Sequence, residues 1–155
     1  MPRHSRGFTL LELMVVIVLI GVLLGMVSFA TGNNPARQAR QEASGLIQLL
    51  HKLREQAVLE GREYGVRLET DGYQVLKLDG LDWRPAGTAY RLPAGLQLRL
   101  EQEGQALKLG DRPGLPHLLL LSNDETSAFT LHLETDEQRW LSVSSDGLGE
   151  PAINE

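Results

Sequence analysis

The stretch whose reading decides the fold is FTLLELMVVIVLIGVLLGMVSFA, residues 8–30. It is 23 residues long and carries one formal charge, Glu12. As an α-helix rising about 1.5 Å per residue it extends roughly 34 Å, enough to cross a hydrocarbon layer of about 30 Å with some tilt. Residues 1–7 ahead of it are short, polar and basic, with Arg3, His4 and Arg6. Basic flanks stay on the cytoplasmic side, so the pattern predicts a cytoplasmic N-terminus, with everything after Ala30 across the membrane. Gly21 and Gly25 offer a small-xxx-small face for close helix packing.

Three readings of this segment compete. The first is a secretory signal peptide, for which Ser28 and Ala30 supply small residues before a cut; but such signals have an apolar core of about 7–15 residues, and residues 13–29 alone are longer. The second is an uncleaved signal anchor, in which Glu12 has no use beyond reaching the headgroups from its edge position. The third explains Glu12. A carboxylate at the edge of the hydrocarbon costs on the order of a few kcal/mol unless it is partnered or protonated. A cut between Gly7 and Phe8 creates the partner, a new amino group one helical turn from Glu12. That amine can neutralise its own Glu12 or, among packed helices, the Glu12 of a neighbour, and in a low dielectric such pairing sets register.

The residues Arg6-Gly7-Phe8-Thr9-Leu10-Leu11-Glu12 resemble the processing signal of type IV pilins and type II secretion pseudopilins: a basic leader ending in Gly, then Phe-Thr-Leu-x-Glu and a long apolar helix. The resemblance implies cleavage after Gly7 by a prepilin peptidase, methylation of the Phe8 amine, and retention of the apolar helix in the mature chain. It also implies partners: other major and minor pseudopilins, the peptidase, and an inner-membrane assembly platform.

Downstream, Gly32-Asn33-Asn34-Pro35 is a breaker cluster, and Asn34 before Pro35 suits the N-cap and first turn of a restarted helix. Ala39, Ala43, Leu46, Leu50, Leu53 and Ala57 are spaced by fours and threes, one stripe of an amphipathic helix, widened by Ile47, Leu49 and Val58. Gly61 ends it. The period then changes to two. Tyr64, Val66 and Leu68 alternate with polar residues, Asp71-Gly72 turns, and residues 73–78 return, which predicts a hairpin. Further strands are expected at 96–100, 106–109, 117–121, 128–133 and 139–143, with 80–95 and 110–116 as Gly/Pro-rich loops.

The predicted organisation is a leader at 1–7, a membrane helix at 8–30, an amphipathic helix at 31–61 and a β-rich periplasmic domain at 62–155. The fold class is α+β, a long helix covering antiparallel sheet. Within the pilin-like proteins the C-terminal part resembles the GspH/FimT family. The residues that carry the likeness are the apolar run 118–121, the alternating 128–133, and Trp140-Leu141-Ser142-Val143 leading to Asp146-Gly147. It departs at Asn123-Asp124-Glu125, where family members tend to carry Pro or Gly.

Composition narrows the chemistry. The chain has no cysteine, which removes thiol catalysis, zinc–thiolate sites and disulfides together. Net charge is −5, and loss of Arg3 and Arg6 leaves 13 basic against 20 acidic side chains, or −7, which repels nucleic-acid backbones. His4, His51, His117 and His132 have no metal-like spacing, and no hydrolase, zincin or phosphate-loop motif occurs. Asp71, Asp79 and Asp146 each precede Gly and read as turn chemistry, and Asp124-Glu125 as a solvated loop. Trp83 and Trp140 read either as interface anchors or as core. No cofactor, metal or catalytic residue is expected.

The expected function is structural: a minor pseudopilin of the type II secretion pseudopilus, with Gly7 and Phe8 as the processing site and Glu12 setting register. The alternatives are a FimT-like minor pilin of a type IV pilus or DNA-uptake machine, and a membrane-tethered periplasmic binding module or enzyme.

Overall fold

A computed structural model describes residues 10–30, 34–111 and 113–155, with side chains of the first stretch through Val22. The described chain forms two units, one ending at Asn34 and the other spanning Pro35–Glu155. The first unit is helix α1, Leu10–Ala30, and its sequence is apolar on every face.

The second unit begins with helix α2, Pro35–Glu60, which starts at the proline as the breaker cluster predicts. Its buried residues are Ala39, Ala43, Leu46, Leu50, Leu53 and Ala57, the predicted stripe. Ile47 and Leu49 pack against the core at its margin. Val58 does not: it is 45% exposed, because as the residue after Ala57 it points about 100° round the helix from the stripe. The helix stops at Gly61, whose φ of 60° is left-handed backbone that a Cβ disfavours. The Arg62 N–H then donates to the Ala57 carbonyl at 3.1 Å, closing the last turn.

Ten strands follow among the described residues, where six or seven were expected. They are β1 (Tyr64–Glu69), β2 (Gly72–Asp79), β3 (Asp82–Pro85), β4 (Tyr90–Arg91), β5 (Gln97–Gln102), β6 (Gln105–Leu107), β7 (Leu118–Leu120), β8 (Phe129–Glu134), β9 (Arg139–Ser145) and β10 (Ala152–Asn154). They make two antiparallel sheets. The first runs β3-β2-β1-β7, with β4 also on β2; the second runs β10-β9-β8-β5-β6. The predicted hairpin is β1–β2, with Glu69 opposite Gly72.

Residues 80–95, expected as a loop, contain β3 and β4. Both short strands pair with β2, β4 at Gly72 and Tyr73 and β3 at Leu76 to Asp79. Gly and Pro punctuation marked the turns here correctly, but two- and four-residue strands carry too few alternations to be seen against it. The C-terminal β10 was missed for the same reason. Residues 110–116 carry no strand among the described residues.

The core lies where α2 meets both sheets. Tyr64, Val66 and Leu68 of β1, Leu118 and Leu120 of β7, Leu98 and Leu100 of β5, Leu131 and Leu133 of β8, and Leu141 and Val143 of β9 close on the helix stripe. Each fully buried leucine contributes about 1.5–3 kcal/mol of apolar burial. Hydrogen bonds join the sheets as well: the Leu98 N–H donates to the Thr70 carbonyl at 2.8 Å, and the Gln102 side-chain Nε2 to the His117 carbonyl at 3.1 Å. Trp140 packs against the core and donates Nε1 to Thr135 Oγ1 at 3.2 Å, whereas Trp83 is half-buried on β3.

Candidate functional site

Of the three residues singled out at the N-terminus, Gly7 and Phe8 lie outside the described residues. Glu12 stands in the first turn of α1, where a carboxylate complements the positive end of the helix dipole. Around it the apolar side chains from Leu10 to Val22 are all exposed, from 40% at Val16 to 78% at Leu10. A helix that is apolar all round is stable only when something apolar surrounds it. The described side chains of α1 stop at Val22, and among the described residues no helix is long and apolar enough to cross a membrane.

The folded unit carries a second constellation, at the C-terminal end of α2. Arg54, on the margin of the buried stripe, donates Nε to Asp124 Oδ1 at 2.6 Å and Nη2 to Asp124 Oδ2 at 3.0 Å, a two-pronged charge-assisted pair. The same guanidinium reaches the Leu148 carbonyl at 3.2 Å and the Gly149 carbonyl at 3.5 Å. Opposite it, Asp146 Oδ1 accepts from the Gly149 N–H at 2.7 Å and the Leu148 N–H at 3.0 Å. Gly147 has a φ of 89°, and a Cβ there would sit 2.6 Å from the Thr126 carbonyl oxygen. One helix and two loops are thereby tied together. The bond from Arg54 holds the Asp124 carboxyl below its ordinary range, and the Gly149 and Leu148 amides do the same for Asp146.

Asp146-Gly147 thus behaves as the turn chemistry predicted. Asp124 does more than line a solvated loop. The sequence held the signal for this in one place only: Arg54 is a cation on the edge of an apolar stripe, but its partner lies 70 residues away.

His4 lies outside the described residues, and the three described histidines do not form a site together. His51 is exposed, with Nδ1 3.6 Å from Glu150 Oε1. His117 is buried beside β7 and accepts the Leu68 N–H on Nδ1 at 3.0 Å. His132, 4% exposed, lies on β8 with Nδ1 2.7 Å from Ser142 Oγ and Nε2 3.1 Å from Glu101 Oε1. The order serine–imidazole–carboxylate has the connectivity of a hydrolase relay. Its three members, however, are neighbours across β9, β8 and β5, with the imidazole buried between the other two side chains. No group of three or more potential metal ligands occurs among the described residues.

Comparison with known proteins accounts for both units. Residues 2–28 match the family model of the prokaryotic N-terminal methylation motif, and residues 42–147 match that of the type II transport protein GspH. The chain belongs to the GspH family. It is 44% identical to type II secretion system protein H of Pseudomonas aeruginosa, over 97% of this chain and 96% of that one. Its fold matches the structure of the minor pseudopilin EpsH from the type 2 secretion system of Vibrio cholerae, with a TM-score of 0.64 and 28% identity over 75% of this chain and 94% of that one. The solution structure of GspH from E. coli, at 14% identity and a TM-score of 0.66 over 80% of this chain and 92% of that one, shares the fold. Membership of the GspH family assigns the chain the role of a minor pseudopilin of type II secretion. That role is structural and not enzymatic, so the polar array around His132 belongs to the sheet.

Proposed function

We propose that the chain is made as a precursor, cut between Gly7 and Phe8 by a prepilin peptidase, methylated on the Phe8 amine, and held in the inner membrane by residues 8–30 until it enters the pseudopilus. Its N-terminus faces the cytoplasm and residues 31–155 the periplasm, in line with the basic leader. The helix then packs among the equivalent helices of other major and minor pseudopilins, delivered by an inner-membrane assembly platform. Glu12 pairs with a Phe8 ammonium and sets the axial register of those helices.

The observation that carries this reading is the charge pattern of α1: Glu12 is the single ionisable side chain between Leu10 and Ala30, one turn from the proposed new terminus. A carboxylate kept ionised in the hydrocarbon needs a cation at its own depth. Intact-mass analysis of the membrane-extracted protein tests it. The expected species begins at Phe8 and carries one added methyl group, and Gly7→Leu leaves full-length precursor in the membrane. A chain that retains Met1, or begins near residue 30, overturns the processing scheme.

A further inference from the structure

The clamp around Arg54 has a by-product on its outer side. Leu59 is 76% exposed at the end of α2, and Leu148 is 72% exposed on the β9–β10 loop. With Val58 they line one open groove of about 710 Å³, whose rim carries Glu55, Asp124 and Glu150. Isolated exposed leucines are ordinary; two from distant segments lining one groove are not.

Moreover, the loop that shows Leu148 to solvent is pinned. Its backbone N–H and C=O are both engaged, by Asp146 at 3.0 Å and Arg54 at 3.2 Å, and its neighbour Gly149 is held the same way. A loop free to move would turn such a side chain inward. This one is held in place with its apolar group outward, which is the preorganisation that binding surfaces use to limit the entropy lost on association.

The charge of the groove selects its occupant. Arg54 is neutralised inward by Asp124 and two carbonyls. Glu55 and Glu150 remain at the rim, with His51 3.6 Å from Glu150. A large apolar side chain flanked by Lys or Arg satisfies both the leucines and the rim. A second copy of this chain fits poorly, because at net −5 it brings further negative charge.

We propose that the groove between the end of α2 and the β9–β10 loop docks an apolar side chain on a basic segment of a different pseudopilin. The inference rests on the pseudopilus role given above, whose partner subunits it makes specific.

The test uses the full-length chain in its own secreting bacterium, with the chromosomal copy deleted. A photo-crosslinking residue is placed at Leu148, at Leu59 and, as a control, at Leu81, which is 96% exposed on the β2–β3 turn. Leu148 and Leu59 probes are expected to form an adduct recognised by antibody to another pseudopilin, and the Leu81 probe is not. Combining Glu55→Gln with Glu150→Gln should cut the adduct about fivefold while precursor processing stays normal. Leu59→Ser with Leu148→Ser should reduce secretion without changing thermal unfolding of the detergent-extracted chain, since both side chains are already in solvent.

Equal yield from Leu81 and Leu148, an adduct with a second copy of this chain, or indifference to the charge changes would each overturn the docking site. If the wild-type gene restores secretion and the groove probes stay silent, the groove inference fails and the pseudopilin role stands. If the wild-type gene does not restore secretion, both fall together.

Discussion

At the scale of single residues, two carboxylates show how an unfavourable position is tolerated. Glu12 interrupts a run that is otherwise apolar from Leu10 to Ala30, and in the proposed assembly its register role follows from the cost of leaving it unpaired. Glu12→Val removes that cost along with the register signal. The variant should be cleaved and membrane-inserted at wild-type levels yet enter the pseudopilus at least about tenfold less, the effect of losing on the order of 1.4 kcal/mol of pairing. Quantifying secretion and sheared filament against total mature protein checks this; normal incorporation would show that the charge does not set register. Asp124 is the second case. Its φ of 72° is left-handed backbone, where glycine is the ordinary choice. Aspartate tolerates that conformation better than most residues, and here its carboxylate is held by Arg54. Where the resemblance led one to expect Pro or Gly, the chain uses a side chain to clamp the loop. From sequence alone Asp124 looked like solvent-facing turn, because nothing local reveals a partner on α2.

At the scale of elements, helix α2 was the most legible part of the folded unit. Six stripe residues recur at fours and threes, and all six are buried. Periodicity fails at its margin: Val58 has the right chemistry and the wrong angle, and stays 45% exposed. This separates two substitutions that composition would treat alike. Leu53→Ala, at a site 4% exposed, should cost about 2–5 kcal/mol in chemical or thermal unfolding, whereas Val58→Ala should stay within about 0.5 kcal/mol of wild type. Comparable losses at both positions would mean that the helix packs on a different face. Strands were legible in proportion to their length. The hairpin β1–β2 and the long β8 and β9 declare themselves by alternation. The short β3, β4, β6 and β10 exist because an adjacent longer strand offers an unpaired edge, and of these only β6 was anticipated.

At the scale of the folded unit, side chains far apart in sequence couple the first sheet to the helix. Tyr73 of β2 stacks on Tyr90 of β4 with ring centres 4.9 Å apart, and the Tyr90 hydroxyl donates to Glu42 of α2 at 3.0 Å. Burial pushes the Tyr73 hydroxyl up to about 12, with Tyr90 and Glu42 adding to the shift. A phenol whose folded value lies above its ordinary value of about 10 contributes stability that is complete below pH 10 and is lost as pH rises through about 12. Absorbance titration of the three tyrosines should therefore show one that ionises only near pH 12, together with loss of the folded signal. Three phenols all titrating near 10 would contradict the packing of β4 on β2 and α2. The sequence by itself determined the class of this protein, since membrane-length apolarity, a lone carboxylate and a helical stripe are local patterns with local physical causes. It also determined where the main turns fall, because Gly, Pro and Asp-Gly act through their own backbone geometry. The division into two sheets, the clamp from Arg54 to Asp124 and the outward leucines of the groove were decided only by tertiary structure. Each depends on which distant segments share a surface, and that follows from the packing of the whole core around α2.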